Sequence, residues 1–235
     1  GPSNGVWFDS KTYYTPSNSC ETTEVIPTAW KLAATGYGTK YLAEAMKESL
    51  SEVEFASTYT WNQTQLFIQK DKRIKLDGIY AMPDLLSIYQ YEAVQGDRDR
   101  MLTENNHVVL TEKAAISLFG RTDVVGEDVE IRQGTDSKNF IVQGVLKDLP
   151  KSSSLQFDYL LPYSLFFVEN DWLSDWGNNG PSTILKLREG TDGEAFSKSI
   201  TNFIADRNED SNVKLFTYPL GDLYLYGQWK DGQPI

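Results

Sequence analysis

The stretch VVLTEKAAISLFG at residues 108–120, followed by VGEDV at 125–129 and FIVQGVLKDLP at 140–150, decides the fold of this chain. Its start predicts a strand, after which Thr111 is suited to cap a helix with its hydroxyl group. The apolar face of that helix has amphipathic spacing and consists of Ala114, Ala115, Leu118 and Phe119. Gly120 predicts the helix end, because glycine readily adopts the left-handed conformation of a helix stop. The stretch contains no nucleophile–base pair, metal cluster or phosphate loop.

The residues after this helix predict two more strands, at 129–132 and 140–146, that pair in antiparallel fashion. A longer turn over 133–138 is expected to join them, and residues 147–154 are expected to form an exit loop.

Before the central stretch, a helix is predicted over about 39–50, with Thr39 as its cap. Its buried face is expected to be Tyr41, Leu42, Ala45, Met46 and Leu50. Strands are predicted at 53–60, 65–69 and 73–80, and residues 70–72 are expected to turn the last two into a hairpin. A short helical turn is predicted at 84–89, and the charged segment 95–100 is interpreted as a loop between subdomains.

The last third of the chain predicts strand, helix and strand. The strands are expected at 182–188 and 213–218, and the helix runs from Thr191 to about Arg207. Its core residues are predicted to be Phe196, Ile200, Phe203 and Ile204. If the two strands are parallel, the segment is a crossover unit.

Length, composition and charge limit the class of protein. The chain has 235 residues, which indicates one domain or two small ones. Hydrophobic residues make up 40% and charged residues 23%, as in ordinary globular proteins. The net charge of −11 repels phosphate backbones, so nucleic acid is not an expected partner.

No apolar run approaches the ~20 residues that a membrane helix requires, and no signal peptide is visible. Gly1 and Pro2 resemble the residues that a tag-cleaving protease leaves behind. We therefore expect the sequence to be a fragment whose missing flanks carry membrane spans.

No catalytic, cofactor-binding or metal-binding residue is predicted. Cys20 is the only cysteine and His107 the only histidine, and nothing in the sequence pairs them as thiolate and base. The run 97–100 is interpreted as a solvated charged surface. Residues 36–40 lack the leading glycine and the strand of a phosphate loop. Some of the many Asp and Glu residues could lie at glycosidase spacing, as random surface carboxylates also would.

Aromatic residues make up 13% of the chain, so some are expected on a surface that binds a partner. Trp172, Trp176 and Trp229 are suited to stack on sugars or to fill a partner's pocket. For Trp176, which precedes the loop-forming residues 177–181, the favoured interpretation is that it covers the core beneath the loop.

Further motifs extend the pattern beyond the central stretch. They are LAEA at 42–45 with VE at 53–54, SSSLQFDYLL at 152–161, WGN at 176–178, LREG at 187–190, LGDLYLY at 220–226 and WKDGQP at 229–234. In their order and spacing, residues from about Lys40 to Ile235 resemble the extracytoplasmic domain between the first two membrane helices of MacB/FtsX-type ABC transporter permeases. The chain is similar in particular to the group common in Bacteroidetes-type bacteria.

The resemblance implies an α+β fold with a porter-like mixed α/β subdomain and a small inserted, mainly β, sabre-like subdomain. We expect the porter-like part at 36–96 and 155–226 and the inserted part at 97–154. Residues 1–35 match poorly and are expected to be a loop-rich extension, while 227–235 would lead to a missing membrane helix. Both ends of the domain are therefore expected on the same side.

In function, the resemblance implies a non-catalytic periplasmic domain of a permease in the cytoplasmic membrane. It would relay ATP-driven motion in the efflux of antibiotics or peptides, or in lipoprotein export. The expected partners are the transmembrane remainder of the permease, an ABC ATPase subunit or domain, and a periplasmic adaptor or the exported substrate. The isolated domain is expected to be a monomer and the full permease a dimer.

Two other classes of function remain open from the sequence. The aromatic content is typical of a secreted carbohydrate-binding module, which would present an exposed row of aromatic rings. The abundant acidic residues would also suit a carboxylate-dependent hydrolase, with two acidic groups across a cleft and one raised pKa.

Overall fold

The structure is a computed structural model that describes residues 29–34, 42–134, 136–151, 153–170, 180–208, 211, 213–220, 229–230 and 233–234. These residues form two compact units. We call residues Gly1–Thr58 with Asp171–Ile235 the split unit, and Tyr59–Asn170 the continuous unit. The predicted boundaries at 96/97 and 154/155 both fall inside the continuous unit, so the division into porter-like and sabre-like parts stays a prediction.

The described elements of the split unit are four strands and two helices, with a short hairpin near the end of the chain. The strands are β1 (Ala29–Ala34), β2 (Val53–Tyr59, whose last residue belongs to the continuous unit), β10 (Ser182–Leu187) and β11 (Leu215–Pro219); the helices are α1 (Leu42–Ser49) and α5 (Gly193–Ser199); the hairpin is β12 (Trp229–Lys230) with β13 (Gln233–Pro234). The strand order is β11-β1-β10-β2.

In the split unit, β1 lies between β10 and β11 and pairs with both in antiparallel fashion. The two outer strands are therefore parallel to each other, which confirms the predicted crossover through α5. Strand β1 itself was not predicted, because the sequence indicated mostly loop over 1–35. Two hydrogen-bonded neighbours stabilise it, and such long-range pairing leaves no local sequence pattern.

The predicted buried face of α1 is confirmed in part. Leu42 and Met46 are buried, but Ala45 and Leu50 are only half-buried, and the buried Ala43 was not predicted. Glu44 and Lys47 are exposed as expected. The predicted cap Thr39 and the predicted core residue Tyr41 lie outside the described residues.

Helix α5 begins after Asp192, whose carboxylate accepts a hydrogen bond from the Ala195 backbone N–H. It is shorter than predicted, because the chain continues after Ser199 as turns to Arg207. The hydroxyl groups of Ser199 and Thr201 donate to backbone carbonyl groups one turn earlier, and such bonds favour the end of a helix. The predicted core residues Phe196, Ile200, Phe203 and Ile204 are nevertheless all buried.

The described elements of the continuous unit are seven strands, three short helices and a 3-10 turn. The strands are β3 (Gln63–Gln69), β4 (Lys72–Ala81), β5 (Ala93–Gln95), β6 (His107–Thr111), β7 (Asp128–Gln133), β8 (Asp136–Leu146) and β9 (Tyr159–Pro162). The helices are α2 (Asp84–Ile88), α3 (Glu112–Phe119) and α4 (Tyr163–Val168), and the 3-10 turn is Arg98–Arg100.

Six of the described strands close into a ring, in the order β4-β3-β7-β8-β6-β9 and back to β4. The closure depends on β9, which pairs in parallel with β4 and antiparallel with β6. A closed sheet has no free edges except where strands overhang, so the backbone of these six strands is paired on both sides. Its core includes Phe67, Leu76, Ile131 and Tyr159.

The local predictions for this unit are confirmed at its hairpin and its central helix. Strands β3 and β4 pair down to Gln69 and Lys72, with Lys70 at a positive φ of 56° in the turn. Thr111 caps α3 by accepting a hydrogen bond from Ala114 N, and Gly120 ends the helix with φ 77°.

Other predictions for the continuous unit were wrong in detail. The longer turn predicted over 133–138 is short, because β7 and β8 stay paired to Gln133 and Asp136. The predicted loop at 95–100 contains the end of β5 and the 3-10 turn. Strand β5 forms because it fills the edge of β8 beyond the end of β7. None of the helices in the described part of the chain is long and apolar enough to span a bilayer.

Candidate interaction surface

Trp61 lies in the short connection between β2 and β3, and hydrogen bonds hold its backbone in place. The Thr60 N–H donates to Tyr80 O at 2.9 Å, and the Thr60 hydroxyl accepts from Tyr80 N at 3.0 Å. The same hydroxyl donates to Trp61 O at 3.1 Å. Thr60 is therefore anchored to Tyr80 of β4 through both its backbone N–H and its side-chain hydroxyl.

The indole ring of Trp61 contacts an aromatic cluster. It meets the ring of Phe166 edge to face, with 5.8 Å between centroids and an angle of 88°. The Phe166 ring also contacts Tyr80 at 5.1 Å and Tyr163 at 6.0 Å. Phe166 is 5% exposed, whereas Trp61 is 52% exposed. A fixed aromatic base thus supports a half-exposed tryptophan, and we call Trp61 with this base the Trp61 surface.

The Trp61 surface is suited to apolar contact and ring stacking. Tryptophan is enriched among the residues that dominate binding energy at protein interfaces, particularly where its position is held before binding. Trp61 was not among the residues singled out from the sequence. The sequence did contain one indication that Trp61 is exposed: it stands between the polar residues Thr60 and Asn62, where two predicted strands meet.

Those residues singled out in the sequence that the structure describes do not gather into a site. Cys20, the segment 36–40, Trp172 and Trp176 lie outside the described residues, and Trp229 lies in β12. His107 begins β6, with its Nδ1 atom 3.3 Å from the Glu104 carboxylate. Three of the four residues at 97–100 are exposed and Arg98 is half-buried, consistent with a solvated surface. No group of three or more potential metal ligands occurs among the described residues.

The carboxylates of Asp77 and Asp158 accept hydrogen bonds within the strand framework. The Asp77 carboxylate accepts a hydrogen bond from the Thr64 hydroxyl at 2.5 Å. The Asp158 carboxylate accepts one from the Asp77 backbone N–H at 3.2 Å. Hydrogen bonds from the Ser137 hydroxyl and the Arg132 guanidinium lower the pKa of Glu130. A general acid needs the opposite shift.

Two buried tyrosines near the Trp61 surface have raised pKa values. Burial raises the pKa of Tyr80 to about 12, although the Gln65 amide donates a hydrogen bond to its hydroxyl oxygen. Burial, with the charges of nearby acidic groups, also raises the pKa of Tyr159 well above its usual value. Its hydroxyl donates to Gln63 O at 2.8 Å. Both tyrosines therefore stay neutral at physiological pH and brace β3.

We predict that Trp61→Ala lowers the free energy of unfolding by only about 1–2 kcal/mol, because half of the side chain is already in water. Phe166→Ala is the matched control and should cost about 3–5 kcal/mol, because its ring is buried against three others. Urea unfolding followed by circular dichroism measures both changes. Equal losses in the two variants would assign Trp61 to the core and remove it as a binding residue.

The family model described as the MacB-like periplasmic core domain matches residues 12–203. Among curated proteins, none matches the chain significantly.

Solved structures with the same fold were also found. A domain from Porphyromonas gingivalis that is described as part of a permease has 24% sequence identity and a TM-score of 0.71, covering 82% of this chain and 90% of that one. The periplasmic region of MacB from Actinobacillus actinomycetemcomitans has 16% identity and a TM-score of 0.60, covering 84% and 91%. The extracellular domain of the noncanonic ABC-type transporter YknZ from Gram-positive bacteria has 12% identity and a TM-score of 0.58, covering 80% and 98%. The family match spans most of the sequence, and the α+β fold agrees with it. The chain therefore belongs to the family of MacB-like periplasmic core domains.

Proposed function

We propose that this chain is the extracytoplasmic part of an ABC transporter permease that binds a partner or exported substrate and relays ATP-driven motion to it. The family is that of transporter permease domains and implies a location outside the cytoplasm. The substrate class we propose is the one that the resemblance implied, an antibiotic, a peptide or a lipoprotein. The ATPase activity would belong to a separate subunit or domain.

The pairing of β1 with β11 in the split unit is the observation that supports this proposal most. Trp30 lies opposite Pro219, and Ala34 lies opposite Leu215. The start of β1 and the end of β11 therefore lie side by side. A domain between two neighbouring membrane helices needs its incoming and outgoing segments on the same side, and this arrangement meets that need.

The chain connections of the continuous unit support the relay of motion. The chain enters this unit at Tyr59 and leaves it after Asn170. Within the unit, the two ends are close together, because the rings of Trp61 and Phe166 touch. A closed ring of strands whose two chain ends are neighbours is suited to move as one body. We propose that the Trp61 surface contacts the adaptor or the exported substrate.

The proposal is tested by the parent gene and by the topology of its product. We expect one membrane helix before this segment and three after it. Reporter fusions that are active only outside the cytoplasm should be active when placed at Ile235 and inactive beyond the next membrane helix. A stop codon soon after Ile235, with a cleavable signal sequence in front, would reject the permease and favour a secreted binding module.

A further inference from the structure

Two amide side chains lie at the same end of the ring of strands as the Trp61 surface. On β3, Gln63 is an even number of residues from Phe67, so it shares the side of the strand that faces the inside of the ring. On β7, Gln133 has the same relation to Ile131, which also points inside. The Gln133 amide N–H donates to the Gln63 Oε1 atom at 3.4 Å. We call Gln63 and Gln133 the amide pair.

Contacts with β4 place the Trp61 ring on the same side as the amide pair. Gln65 follows Gln63 by two residues, and its Nε2 atom donates to the Tyr80 hydroxyl at 3.1 Å. The Tyr80 ring contacts Phe166, and Phe166 supports the Trp61 ring. Trp61 precedes Gln63 by two residues, which in an extended chain corresponds to about 7 Å. A half-exposed indole ring and two amides therefore lie next to each other.

Each side chain of the amide pair retains one group that has no hydrogen-bond partner among the residues that the structure describes. The contact between the two amides uses the Gln133 Nε2 and Gln63 Oε1 atoms, which leaves the Gln63 Nε2 and Gln133 Oε1 atoms. The first is a donor and the second an acceptor. Because a hydroxyl group both donates and accepts, a ligand with hydroxyl groups satisfies both atoms.

The charged groups that face this end of the ring include no unpaired cation in the described part of the chain. Lys138 is opposite Ile131 and thus on the inner side of β8, and its ammonium group forms an ion pair with Glu169 of α4. Asp136, opposite Gln133, is exposed and forms no ion pair with a described residue. Lys138 and Glu169 cancel, so Asp136 leaves one negative charge. An anionic ligand is therefore disfavoured here.

We propose that the Trp61 surface and the amide pair bind an uncharged glycan that is carried by the partner or by the exported substrate. The apolar C–H face of one pyranose ring stacks on the indole of Trp61, which is rigid and half-exposed. Hydroxyl groups of the neighbouring sugar unit reach the amide pair and the Asp136 carboxylate. The Trp61 ring is held in place before binding, which lowers the entropic cost of association.

An apolar protein segment is the less favoured ligand. Such a segment needs a continuous apolar area, whereas a single exposed indole ring with polar groups beside it matches the apolar and polar sides of a sugar. The exposed large hydrophobic residues that the structure describes are spread over several elements: Trp61 before β3, Val94 in β5, Ile116 in α3, Val125 before β7 and Val168 in α4.

The glycan site rests on the proposed function, in which the Trp61 surface binds a partner or substrate, and it adds the chemistry of what is bound. Reporter fusions test the permease, and sugar titration of the isolated chain tests glycan binding. Either experiment can fail while the other succeeds, so the two failures are distinguishable.

The test is a titration of the 235-residue chain with the β-linked tetramer of N-acetylglucosamine, which is uncharged and has apolar C–H faces. Nitrogen–proton correlation NMR resolves the indole N–H groups of the six tryptophans, and the signal that is missing in Trp61→Phe belongs to Trp61. We expect this signal to shift as sugar is added. Calorimetry should show binding weakened about tenfold by Trp61→Ala and less by Trp61→Phe, which keeps a smaller ring.

A double variant separates a glycan from an apolar segment. Gln63→Leu with Gln133→Leu removes the hydroxyl partners and should weaken sugar binding about tenfold, whereas an apolar ligand would bind more tightly. The control is Ile116→Ala on α3, because Ile116 is 52% exposed, as is Trp61. It should leave the affinity for the sugar unchanged. Circular dichroism verifies that each variant is folded.

Raising the salt concentration should leave the affinity unchanged, since an uncharged ligand has no ionic contact to be screened. Three results would overturn the proposal. One is that the unmodified chain does not bind the sugar, and another is that it binds the sugar while the Trp61 signal stays unchanged. The third is binding of a peptide of alternating Leu and Ser, without binding of the sugar, that is lost in Trp61→Ala.

Discussion

Phe67→Ala is expected to lower the free energy of unfolding of the continuous unit by about 3–5 kcal/mol. The Phe67 side chain is fully buried inside the ring of strands, and the centroid of its phenyl group lies 4.8 Å from the centroid of the Tyr159 phenol group. Tyr159 belongs to β9, the strand that closes the ring. Loss of the phenyl group therefore leaves a cavity at the closure. Hydrogen exchange read by mass spectrometry should show faster exchange in β3, β4 and β9.

The matched control for this change is Phe55→Ala in the split unit. Phe55 is half-buried on β2, with the ammonium groups of Lys47 and Lys186 at 5.7 and 5.3 Å from its ring. Its loss should cost about 1–2 kcal/mol, since little apolar area is buried and the cation–π contacts are exposed. In the Phe55→Ala variant, hydrogen exchange should become faster only in the split unit. Unchanged exchange in β9 of the Phe67 variant would contradict the role of Phe67 in closing the ring.

Local elements were predictable because their signals lie within a few residues. The cap at Thr111 and the stop at Gly120 use side-chain and backbone properties that act over one helical turn. The hairpin of β3 and β4 has the same local origin, since two alternating runs flank a short polar turn. These predictions are confirmed by the cap hydrogen bond, the positive φ of the glycine and the strand register.

The closure of the ring could not be predicted from the same signals. Strand β9 has four buried residues, Tyr159–Pro162, and therefore shows no alternation of polar and apolar positions. Its partners β4 and β6 lie about 80 and 50 residues earlier, and the periodicity of a strand does not identify its neighbours. Helix α4 was missed because six residues are too few to show a helical period and its first turn lacks an acidic start residue such as Asp84, which marks the short helix α2.

The Trp61 surface depends on the same long-range contacts. The sequence directed attention to Trp172, Trp176 and Trp229, because abundant aromatic residues suggest a binding surface but do not identify which ring is exposed. Trp61 is exposed because Phe166, 105 residues later, occupies the space beneath one side of its ring. A sequence shows residue types, whereas exposure depends on which elements pack together.

The ring links the fold to the proposed relay of motion. A relay needs a unit that does not deform when one end is pulled, and closed strand pairing provides this stiffness. The Trp61 surface lies where the chain enters and leaves the continuous unit. Variants that weaken the ring should therefore impair transport by a full permease even when the Trp61 surface is unchanged.

Gly78→Ala is the second change with a large expected effect and should lower the free energy of unfolding by about 3 kcal/mol. Gly78 lies where a tyrosine side chain crosses its strand. Gly78 pairs with Tyr159 on one side and with Gln63 on the other. The Tyr159 ring passes over Gly78, and its hydroxyl donates to Gln63 O at 2.8 Å. A methyl group on Gly78 would collide with the Tyr159 carbonyl oxygen and ring. Thermal unfolding should begin several degrees lower.

Gly144→Ala provides a control in the same ring of strands, because the methyl group added there first meets a side chain and not a backbone carbonyl. A methyl group on Gly144 would first meet the terminal methyl group of Met101, the flexible end of a buried side chain. Methionine can adopt other rotamers, so we expect a cost of about 1 kcal/mol. In a background that already carries Met101→Ala, Gly144→Ala should cost less, since only the contact with the Gln95 carbonyl oxygen at 3.2 Å remains. No side-chain change can do the same for Gly78, because the Tyr159 carbonyl belongs to the strand that closes the ring. If Gly78→Ala costs nothing further when it is added to Tyr159→Ala, the collision lies with the ring of Tyr159 alone and this explanation is contradicted.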